Sequence, residues 1–335
     1  MRITIKDIAK KLNVHHSTVS RAIRMDPRLK EETGEMIRNY AKENGYHLNV
    51  NALKLRGSYR NTIAVIVPNI NHRFFSNIIN HLTDLAYEKN FVISIYQSNE
   101  SYEHECSFIG KIIQQDVAGV IASVSDKTKS GEHFHELSKL KIPLVFFDRV
   151  LKDDNTSSVT TNNYGITSRL VSEIIKSGRT RIANVTGPDH INVFHERNAG
   201  YFSSIENSKL SYRSQIIITD EFTPEAGEMA AMKLFSGSTH PDAIISTSFF
   251  LTMGIVKYIN QENIKIPEDV VIAGFGDKLF NTLLHPQIIS VEQPERELAA
   301  SAFKLLINQL DFNEDLSKYK HQNIELESTI IYNNT

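Results

Sequence analysis

The segment at positions 16–23 carries, between its apolar residues, short hydrogen-bonding side chains and one guanidinium group: His16, Ser17, Thr18, Ser20 and Arg21. Short side chains let a helix lie deep in the major groove of DNA, and an arginine can donate two hydrogen bonds to O6 and N7 of a guanine. Thr18 and Ser20 are better suited to contact phosphates, which fix the register of a helix but do not read bases. The alternative is the polar, solvent-exposed face of an ordinary helix.

The distribution of charge is consistent with a polyanionic partner for this segment. Residues 1–60 contain 13 lysines and arginines and 6 aspartates and glutamates, a net charge of +7, whereas the remaining residues contain 24 and 33, a net charge of −9. A basic head and an acidic body indicate that the head alone touches nucleic acid. Because a basic end can also be a solubilising tail, charge by itself leaves the partner open.

Three predicted helices would position these side chains. Apolar residues at i, i+3, i+4 and i+7 predict a helix over 5–12 with Thr4 as its N-cap. A second helix is predicted over 16–23 and a third over 30–44, which ends at Gly45. Two helices joined by a short turn and braced by a third form a helix-turn-helix unit. We therefore expect an all-α head that binds double-stranded DNA.

From residue 62 onward, short β-branched runs alternate with helical segments, which is typical of βαβ units and parallel sheets. About 270 residues are long for one such sheet and suit two. The predicted strands cover 62–67, 91–96, 117–122, 144–147, 159–161, 181–186, 215–219, 243–246, 270–273 and 288–291. We therefore predict an α/β body of two doubly wound parallel-sheet lobes, with a ligand cleft at the carboxyl ends of the strands.

Motifs in the head and in the body together resemble those of the lactose/galactose repressor (LacI/GalR) family. In the head they are Thr4-Ile5-Lys6-Asp7-Ile8-Ala9, Val14, Thr18-Val19-Ser20-Arg21-Ala22, Thr33 and Gly45-Tyr46. In the body they are Ile63-Ala64-Val65-Ile66-Val67-Pro68, Phe74-Phe75, Phe147-Asp148-Arg149, Arg197-x-x-Gly200-Tyr201, Pro241-Asp242-Ala243-Ile244, Ile266-Pro267-Glu268-Asp269-Val270 and Gln293-Pro294. Their order extends over nearly the whole chain, which makes the resemblance more specific than a single helix-turn-helix motif.

The resemblance implies a homodimeric transcriptional repressor that binds pseudo-palindromic operator DNA and answers to a small, carbohydrate-derived effector. Its domains would be a helix-turn-helix head at 1–46, a hinge at 47–61, a periplasmic-binding-protein-like N-terminal lobe at 62–160 and 291–320, and a C-terminal lobe at 161–290 and 321–335. Three crossovers near 160, 290 and 320 would join the lobes. The alternatives are a regulator of the same fold that depends on a co-repressor or a protein partner, and a ligand-binding module without DNA function.

The resemblance adds further DNA contacts outside the second helix. They are Thr4, His15 and, in the hinge, Asn49, Ala52 and Leu55. In the family this hinge folds when two copies meet on the operator, and its leucine wedges into the minor groove, which makes Leu55 the candidate wedge here. A flexible linker is the alternative. His15 stands where a serine N-cap is common, so we expect a weaker cap on the second helix.

Candidate effector contacts lie at strand ends and in the loops that follow them. They are Phe74, Asp148, His190, Asn192, Arg197, Phe222 and Phe249. Asp148 follows a strand and can accept hydrogen bonds from a ligand, unless it pairs with Arg149 or caps a turn. Arg197 resembles the arginine that many family members use on effector, with a salt bridge at the helix end as the alternative. The phenylalanines are either walls for a ring or plain core, and the histidine and asparagine lie in a loop that contacts effector in the family.

Two positions depart from the family pattern. Phe249 and Asn162 stand where many members have an aspartate, which at the Phe249 position commonly holds effector hydroxyls. The loss of two carboxylates argues against a neutral sugar bound through the usual bidentate hydrogen bonds. These departures are consistent with an aromatic stacking surface, with a more anionic ligand, or with a body that no longer senses a small molecule.

The sequence also excludes several classes of protein. The single Cys106 rules out an intrachain disulfide and a multi-cysteine metal site. No apolar run approaches the roughly 18 residues of a membrane span, and the charged amino terminus lacks the apolar stretch of a secretory signal, so a cytoplasmic location is expected. We find no Gly-x-x-x-x-Gly-Lys-Ser/Thr phosphate loop and no Gly-x-Ser-x-Gly nucleophile elbow. We therefore expect no enzyme activity, no cofactor and no metal site.

Overall fold

The chain divides into two units, a head at residues 1–60 and a body at residues 61–335, and each is described by itself. The structure, a computed structural model, describes residues 3–23, 26, 28–46, 60–151, 155–208, 210, 215–276, 288–312 and 316–332. The predicted hinge contacts Asn49, Ala52 and Leu55 lie outside these ranges and stay predictions. Within the ranges, every helix is too short or too polar to cross a membrane.

The described part of the head is a three-helix unit, as predicted. Its helices are α1 (Ile5–Lys11), α2 (His16–Ile23) and α3 (Glu31–Glu43). Asn13 turns the chain between the first two with a φ of 48°, a left-handed conformation that asparagine tolerates better than most residues. The core consists of Ile8, Ala9, Val19, Ala22, Ile37 and Ala41. This core fixes which face of α2 points outward.

The body alternates strands and helices along the chain. In order these are β1 (Thr62–Val67), α4 (Arg73–Glu88), β2 (Val92–Gln97), α5 (Tyr102–Gln114), β3 (Gly119–Ala122), α6 (His135–Lys139), β4 (Leu144–Phe147), β5 (Ser157–Thr161), α7 (Asn163–Lys176), β6 (Ile182–Thr186), α8 (Asn192–Asn207), β7 (Gln215–Ile218), α9 (Pro224–Phe235), β8 (Ala243–Ser246), α10 (Phe249–Gln261), β9 (Val271–Phe275), β10 (Ile289–Glu292), α11 (Glu295–Leu310), β11 (Asn323–Leu326) and β12 (Thr329–Ile331). The prediction of a two-lobed α/β body is confirmed.

Each lobe is built on one sheet that is covered on both faces. The first has the strand order β11-β5-β4-β3-β1-β2 and the second the order β12-β10-β9-β8-β6-β7. In β1, Ile63, Val65 and Val67 face α4 and α11, whereas Ala64 and Ile66 face the core under α5. Because both faces of the strand are buried, its sequence is continuously apolar instead of alternating. The same arrangement in the second lobe places α9 and α10 on one face and α7 and α8 on the other.

The chain passes between the lobes three times, after Thr161, after Glu292 and between Leu326 and Thr329. The third crossover was predicted near 320, and this is wrong. Residues 323–326 belong to the first lobe, because β11 pairs in parallel with β5 and places Ile324 opposite Val159. Only β12 joins the second sheet, where it pairs antiparallel with β10. The two adjacent strands of this tail are short and half-exposed, so their sequence does not indicate which sheet each one joins.

Helices α9 and α10 approach each other at two glycines. A Cβ atom on Gly254 would lie 1.8 Å from the carbonyl oxygen of Pro224, and one on Gly227 would lie 2.2 Å from the carbonyl oxygen of Leu251. No side chain fits at either position without separating the helices. This close crossing holds the amino end of α10, which begins at Phe249.

Candidate nucleic-acid interface and inter-lobe cleft

The outward face of α2 presents the predicted base-reading side chains. Val19 and Ala22 are fully buried, so the opposite face of the helix, with Ser17 and Arg21 one turn apart, points away from the core. His16 and Arg21 are exposed. Among the described residues, none forms a hydrogen bond or ion pair with the Arg21 guanidinium, which leaves all of its donors available to a ligand.

His15 supplies a side-chain acceptor at the start of α2, and the weaker cap expected of it relative to serine stays a prediction. Its Nδ1 accepts a hydrogen bond from the backbone N–H of Ser17 at 3.3 Å and lies 2.8 Å from the Ser17 hydroxyl. The imidazole thus supplies the acceptor that a serine hydroxyl supplies at other helix starts. This role requires an unprotonated Nδ1, because a protonated nitrogen cannot accept.

Two other predicted DNA contacts, Thr4 and Ser20, are engaged or buried within the head. The Thr4 hydroxyl accepts from the N–H of Asp7 at 3.3 Å, and the Asp7 carboxylate accepts from the N–H of Thr4 at 2.9 Å, which completes a capping box. Asp7 also accepts from the Thr4 hydroxyl, and these bonds hold the pKa of the Asp7 carboxyl below its usual value. Ser20 is 8% exposed. This burial argues against the predicted contact between Ser20 and a phosphate.

A cleft of about 780 Å³, counting its opening to solvent, lies between the two lobes at the carboxyl ends of the strands. The lining residues are His72, Arg73, Phe74, Phe75, Asp148, Arg149, Val193, Phe194, Arg197, Phe222, Thr247, Ser248, Phe249, Phe275, Gly276, Gln293 and Glu295. Five of the seven predicted effector contacts are therefore brought together: Phe74, Asp148, Arg197, Phe222 and Phe249.

Arg197 is the most completely buried cation of the cleft, with 4% of its surface exposed. Its Nε donates to Asn163 Oδ1 at 2.9 Å, Nη1 to the Thr247 carbonyl at 2.9 Å and Nη2 to Gln293 Oε1 at 3.0 Å. Its guanidinium carbon lies 3.4 Å from the centre of the Phe275 ring. Two of its five N–H groups remain unused by described residues. The alternative of a helix-terminal salt bridge is wrong, because all three acceptors are neutral.

Burial lowers the pKa of Arg197 to about 9, so the guanidinium is still protonated at neutral pH. Its helix is fixed by the rest of the motif Arg197-x-x-Gly200-Tyr201. A Cβ atom on Gly200 would lie 2.4 Å from the Tyr164 carbonyl oxygen, and the Tyr201 hydroxyl donates to the Ile182 carbonyl at 2.6 Å. Gly200 therefore lets α8 approach α7, while Tyr201 ties α8 to β6.

Asp148 directs an unpartnered carboxylate into the cleft. The residue is 7% exposed, and its backbone has a φ of 59°, in the left-handed region. Its N–H donates to the Val159 carbonyl, and its carbonyl accepts from Asn192. No described residue forms a hydrogen bond or ion pair with its carboxylate. Burial raises the pKa of this carboxyl, and the neighbouring Arg149 and Arg197 oppose that shift.

Arg149 pairs with Glu100, so the alternative in which it pairs with Asp148 is wrong. Its Nη1 lies 2.9 Å from each Glu100 carboxylate oxygen. The guanidinium also lies 5.7 Å from the centre of the Phe194 ring and 5.8 Å from that of Phe222, two rings stacked at 12°. Phe194 and Phe222 belong to the second lobe, so Arg149 contacts both lobes. Sequence reasoning missed this residue as a site residue, although it adjoins Asp148 in a quoted motif.

The predicted contacts His190 and Asn192 bridge the lobes and do not line the cleft. His190 Nε2 is hydrogen-bonded to the backbone carbonyl of Asp126. The Asn192 amide donates to the Asp148 carbonyl at 3.1 Å and accepts from the N–H of Val150 at 3.0 Å. Both side chains cross from the second lobe to the first, which explains why their loop is polar even though it does not reach the cavity.

The remaining wall is mainly aromatic. Phe75, Phe194 and Phe275 join the three predicted phenylalanines. Burial lowers the pKa of His72 to about 4, so this ring is neutral at pH 7. Thr247, Ser248 and Gln293 were also missed, and the Gln293-Pro294 motif was the available signal for the last. Asn162 does not line the cleft but caps α7, because its Oδ1 accepts from the N–H of Gly165 at 2.8 Å. Of the two departures from the family pattern, only Phe249 therefore bears on the ligand.

Comparison with known proteins gives two matching family models. The model of the lacI family of bacterial regulatory proteins matches residues 4–49, and that of the periplasmic binding protein-like domain matches residues 171–332. Catabolite control protein A of Priestia megaterium is 27% identical over 91% of this chain and 92% of its own. The transcriptional repressor CytR of Escherichia coli K12 is 26% identical over 92% of this chain and 89% of its own. A LacI family transcriptional regulator of Enterococcus faecium, solved with bound ribose, is 21% identical over 81% of this chain and 96% of its own. Its TM-score of 0.72 shows that the two chains share a fold.

Proposed function

Because this chain belongs to the lacI family of bacterial regulatory proteins, and is thus a DNA-binding regulator of transcription and not an enzyme, we propose that it is a homodimeric repressor of pseudo-palindromic operators. A carbohydrate-derived effector in the inter-lobe cleft changes its operator affinity. The observation that carries this proposal is a helix-turn-helix head whose outward-facing Arg21 guanidinium has no partner among the described residues. The head is joined in one chain to a cleft in which the described residues leave hydrogen-bonding capacity of the buried Asp148 and Arg197 unused.

In this proposal α2 lies in the major groove and Arg21 reads a guanine. Its guanidinium has the two parallel donors that match O6 and N7 of that base. Ser17, one turn earlier, is short enough to let the helix approach the base edges. The exposed lysines of α1, Lys6, Lys10 and Lys11, supply positive charge for the phosphate backbone.

Replacement of Arg21 by alanine is expected to lower operator affinity by about 1–3 kcal/mol, about five- to 150-fold, and to leave binding to random DNA nearly unchanged. The measurement is fluorescence anisotropy with an operator selected from genomic fragments of the host and with a random duplex of equal length. Lys42→Ala, which removes an exposed charge from α3, is the matched control and weakens both complexes alike. Equal losses on both duplexes for Arg21→Ala would contradict base reading.

Effector control follows from the bonds between the lobes. The contacts of His190 and Asn192 with the first lobe exist only when the lobes are in this arrangement. A ligand that prefers this arrangement over a more open one shifts the population towards it, and about 1–3 kcal/mol of coupling is enough to change operator occupancy. The test is to titrate operator-bound protein with sugars, sugar acids, sugar phosphates and nucleosides. If none of them alters DNA binding, the effector half of the proposal fails.

Exposed apolar side chains on two edge strands support the homodimer. β2 and β7 each form one edge of a sheet, and Val92, Ile95 and Ile218 on them are exposed. Met229 and Met232 of α9 are exposed as well. Unpaired edges with apolar side chains are typical of surfaces that pair with another chain.

Ile95→Glu is therefore expected to produce a monomer in light scattering at micromolar concentration and to weaken operator binding at least about tenfold, because two heads no longer bind together. The control Leu140→Glu places the same charge at an exposed leucine outside both edge strands and is expected to stay dimeric. A monomeric wild type, or a dimeric Ile95→Glu variant with full operator affinity, would refute this interface.

A further inference from the structure

The hydroxyl group of Ser17 is held by the residue that precedes α2. Its Oγ lies 2.8 Å from His15 Nδ1, and the backbone N–H of Ser17 donates to the same nitrogen at 3.3 Å. The His15 ring also packs against the ring of His16, with 4.1 Å between the centroids and 45° between the planes. Both histidines are exposed and Ser17 is half-buried. Contacts within the first turn of α2 therefore fix where the hydroxyl lies.

These contacts also determine which partner donates the proton. A ring nitrogen that accepts from the backbone N–H of Ser17 carries a lone pair and no hydrogen. The Ser17 hydroxyl cannot accept from that nitrogen, so it donates its own hydrogen to it. A hydroxyl has one hydrogen to donate and two lone pairs with which to accept. The hydrogen of Ser17 is thus directed at His15, and only the lone pairs of Oγ are left for another molecule.

A hydroxyl in the place of the imidazole would not impose this direction. In α1 the Thr4 hydroxyl accepts from the backbone N–H of Asp7 and at the same time donates to the Asp7 carboxylate. A capping hydroxyl therefore both accepts and donates, and at position 15 it would let the Ser17 hydrogen point elsewhere. The unprotonated Nδ1 of His15 only accepts. The identity of residue 15 consequently sets the polarity that Ser17 presents.

This polarity matters in the major groove of DNA. Base edges there offer amino donors at adenine N6 and cytosine N4, whereas thymine O4 and guanine O6 and N7 are acceptors. An oxygen that only accepts forms a hydrogen bond with adenine or cytosine and faces another acceptor at thymine or guanine. Ser17 and Arg21 are four residues apart on one face of α2. That face therefore combines an acceptor with the donors of the guanidinium.

We propose that Ser17 is a specificity-determining residue that selects adenine or cytosine on the strand it faces, and that His15 is the positioning residue that gives the Ser17 hydroxyl this preference. The inference rests on the proposed placement of α2 in the major groove. It goes beyond the guanine contact of Arg21, because a guanidinium only donates and cannot accept a hydrogen bond from an amino group.

Selection from randomised duplexes by the full chain tests the preference. Ser17→Ala locates the base that Ser17 reads, because the preference is lost at that position. The wild type is expected to favour adenine or cytosine there over thymine and guanine by about fivefold or more.

Base analogues test the hydrogen bond itself. In the selected operator, purine replaces the adenine, or pyrimidin-2-one the cytosine, which removes the amino group and little else. The wild type is expected to lose about two- to tenfold in affinity, and Ser17→Ala is expected to lose nothing. Fluorescence anisotropy with the two matched duplexes measures both proteins. An equal loss for both would show that the amino group binds something other than Ser17.

Two substitutions at position 15 separate positioning from capping. Serine and aspartate are both preferred N-cap residues, so His15→Ser and His15→Asp keep the start of α2 folded. His15→Ser releases the Ser17 hydrogen and is expected to reduce the preference to within about twofold. A carboxylate only accepts, like the unprotonated imidazole nitrogen. His15→Asp is therefore expected to keep the preference, although its charge weakens binding to every duplex alike.

Each contrary result overturns a separate step. A wild type that selects thymine or guanine at the Ser17 position, or a Ser17→Ala variant whose selection is unchanged, would overturn base reading by Ser17. An unchanged preference in His15→Ser would remove His15 from its positioning role. These failures leave the guanine contact of Arg21 and the proposed function standing. A wild type that selects no duplex would contradict the proposed function and this inference with it.

Discussion

Gly254→Ala is expected to destabilise the body by about 3 kcal/mol or more, at the upper end of the cost of overpacking. The new Cβ atom would lie 1.8 Å from the Pro224 carbonyl oxygen and 2.7 Å from the Glu228 nitrogen. Both are backbone atoms of α9, so no side-chain rotation relieves the clash. α9 and α10 must separate, and that opens the core in which Leu251 and Ile255 are fully buried. Chemical denaturation followed by circular dichroism measures the loss.

Gly110→Ala is the matched control for this prediction. Gly110 also lies inside a helix, α5, but a Cβ atom there would meet no atom of the described residues within 4 Å beyond its chain neighbours and the backbone of its own helix. Alanine favours a helix over glycine by up to about 1 kcal/mol, so this variant is expected to be more stable than the wild type. A denaturation midpoint for Gly254→Ala equal to that of the wild type would show that the helices tolerate a wider crossing.

The parts of the fold that follow local patterns were predictable from the sequence. The core of the head, including Ile8 and Val19, lies where the helical period places it. The strand predicted over 62–67 is present as β1, and its burial agrees with the predicted doubly wound sheet. β11 could not be assigned in this way, because the choice between two sheets depends on its pairing with β5, which is distant in sequence.

The residues of the cleft also fall into those that the sequence identified and those that it did not. Asp148 and Arg197 were identified from motifs, and both line it. The partner of Arg149 was not, because Glu100 lies 49 positions away and carries no motif of its own. His190 and Asn192 were assigned to the cavity by resemblance to a family loop. In this chain their side chains reach backbone groups of the other lobe, a distinction that sequence alone does not contain.

Arg197→Ala is expected to abolish the response to effector and to destabilise the body by about 3 kcal/mol. The substitution removes the arginine donor from the Thr247 carbonyl and from Gln293 Oε1, and it leaves Asn163 Oδ1 with the Thr161 hydroxyl alone. Each hydrogen bond to a charged group contributes about 1.5–3 kcal/mol. Water that enters from the open side of the cleft recovers part of this loss. Operator binding by the head is expected to persist, because the head is a separate unit with its own core.

Two further variants show whether the effector response requires the three hydrogen bonds of the Arg197 guanidinium or only its charge. Arg197→Lys keeps the charge, but an ammonium on a flexible stem cannot reproduce the planar fork that holds three acceptors, so effector response is expected to fall nearly as far as in Arg197→Ala. Arg179→Ala removes a surface arginine that donates to the Pro267 and Glu268 carbonyls, and it is expected to cost less than about 1 kcal/mol and to keep the response. Denaturation midpoints and effector-dependent operator release measure both effects. A lysine variant with normal release would mean that Arg197 acts by charge alone, and an alanine variant with normal release would remove Arg197 from the effector site.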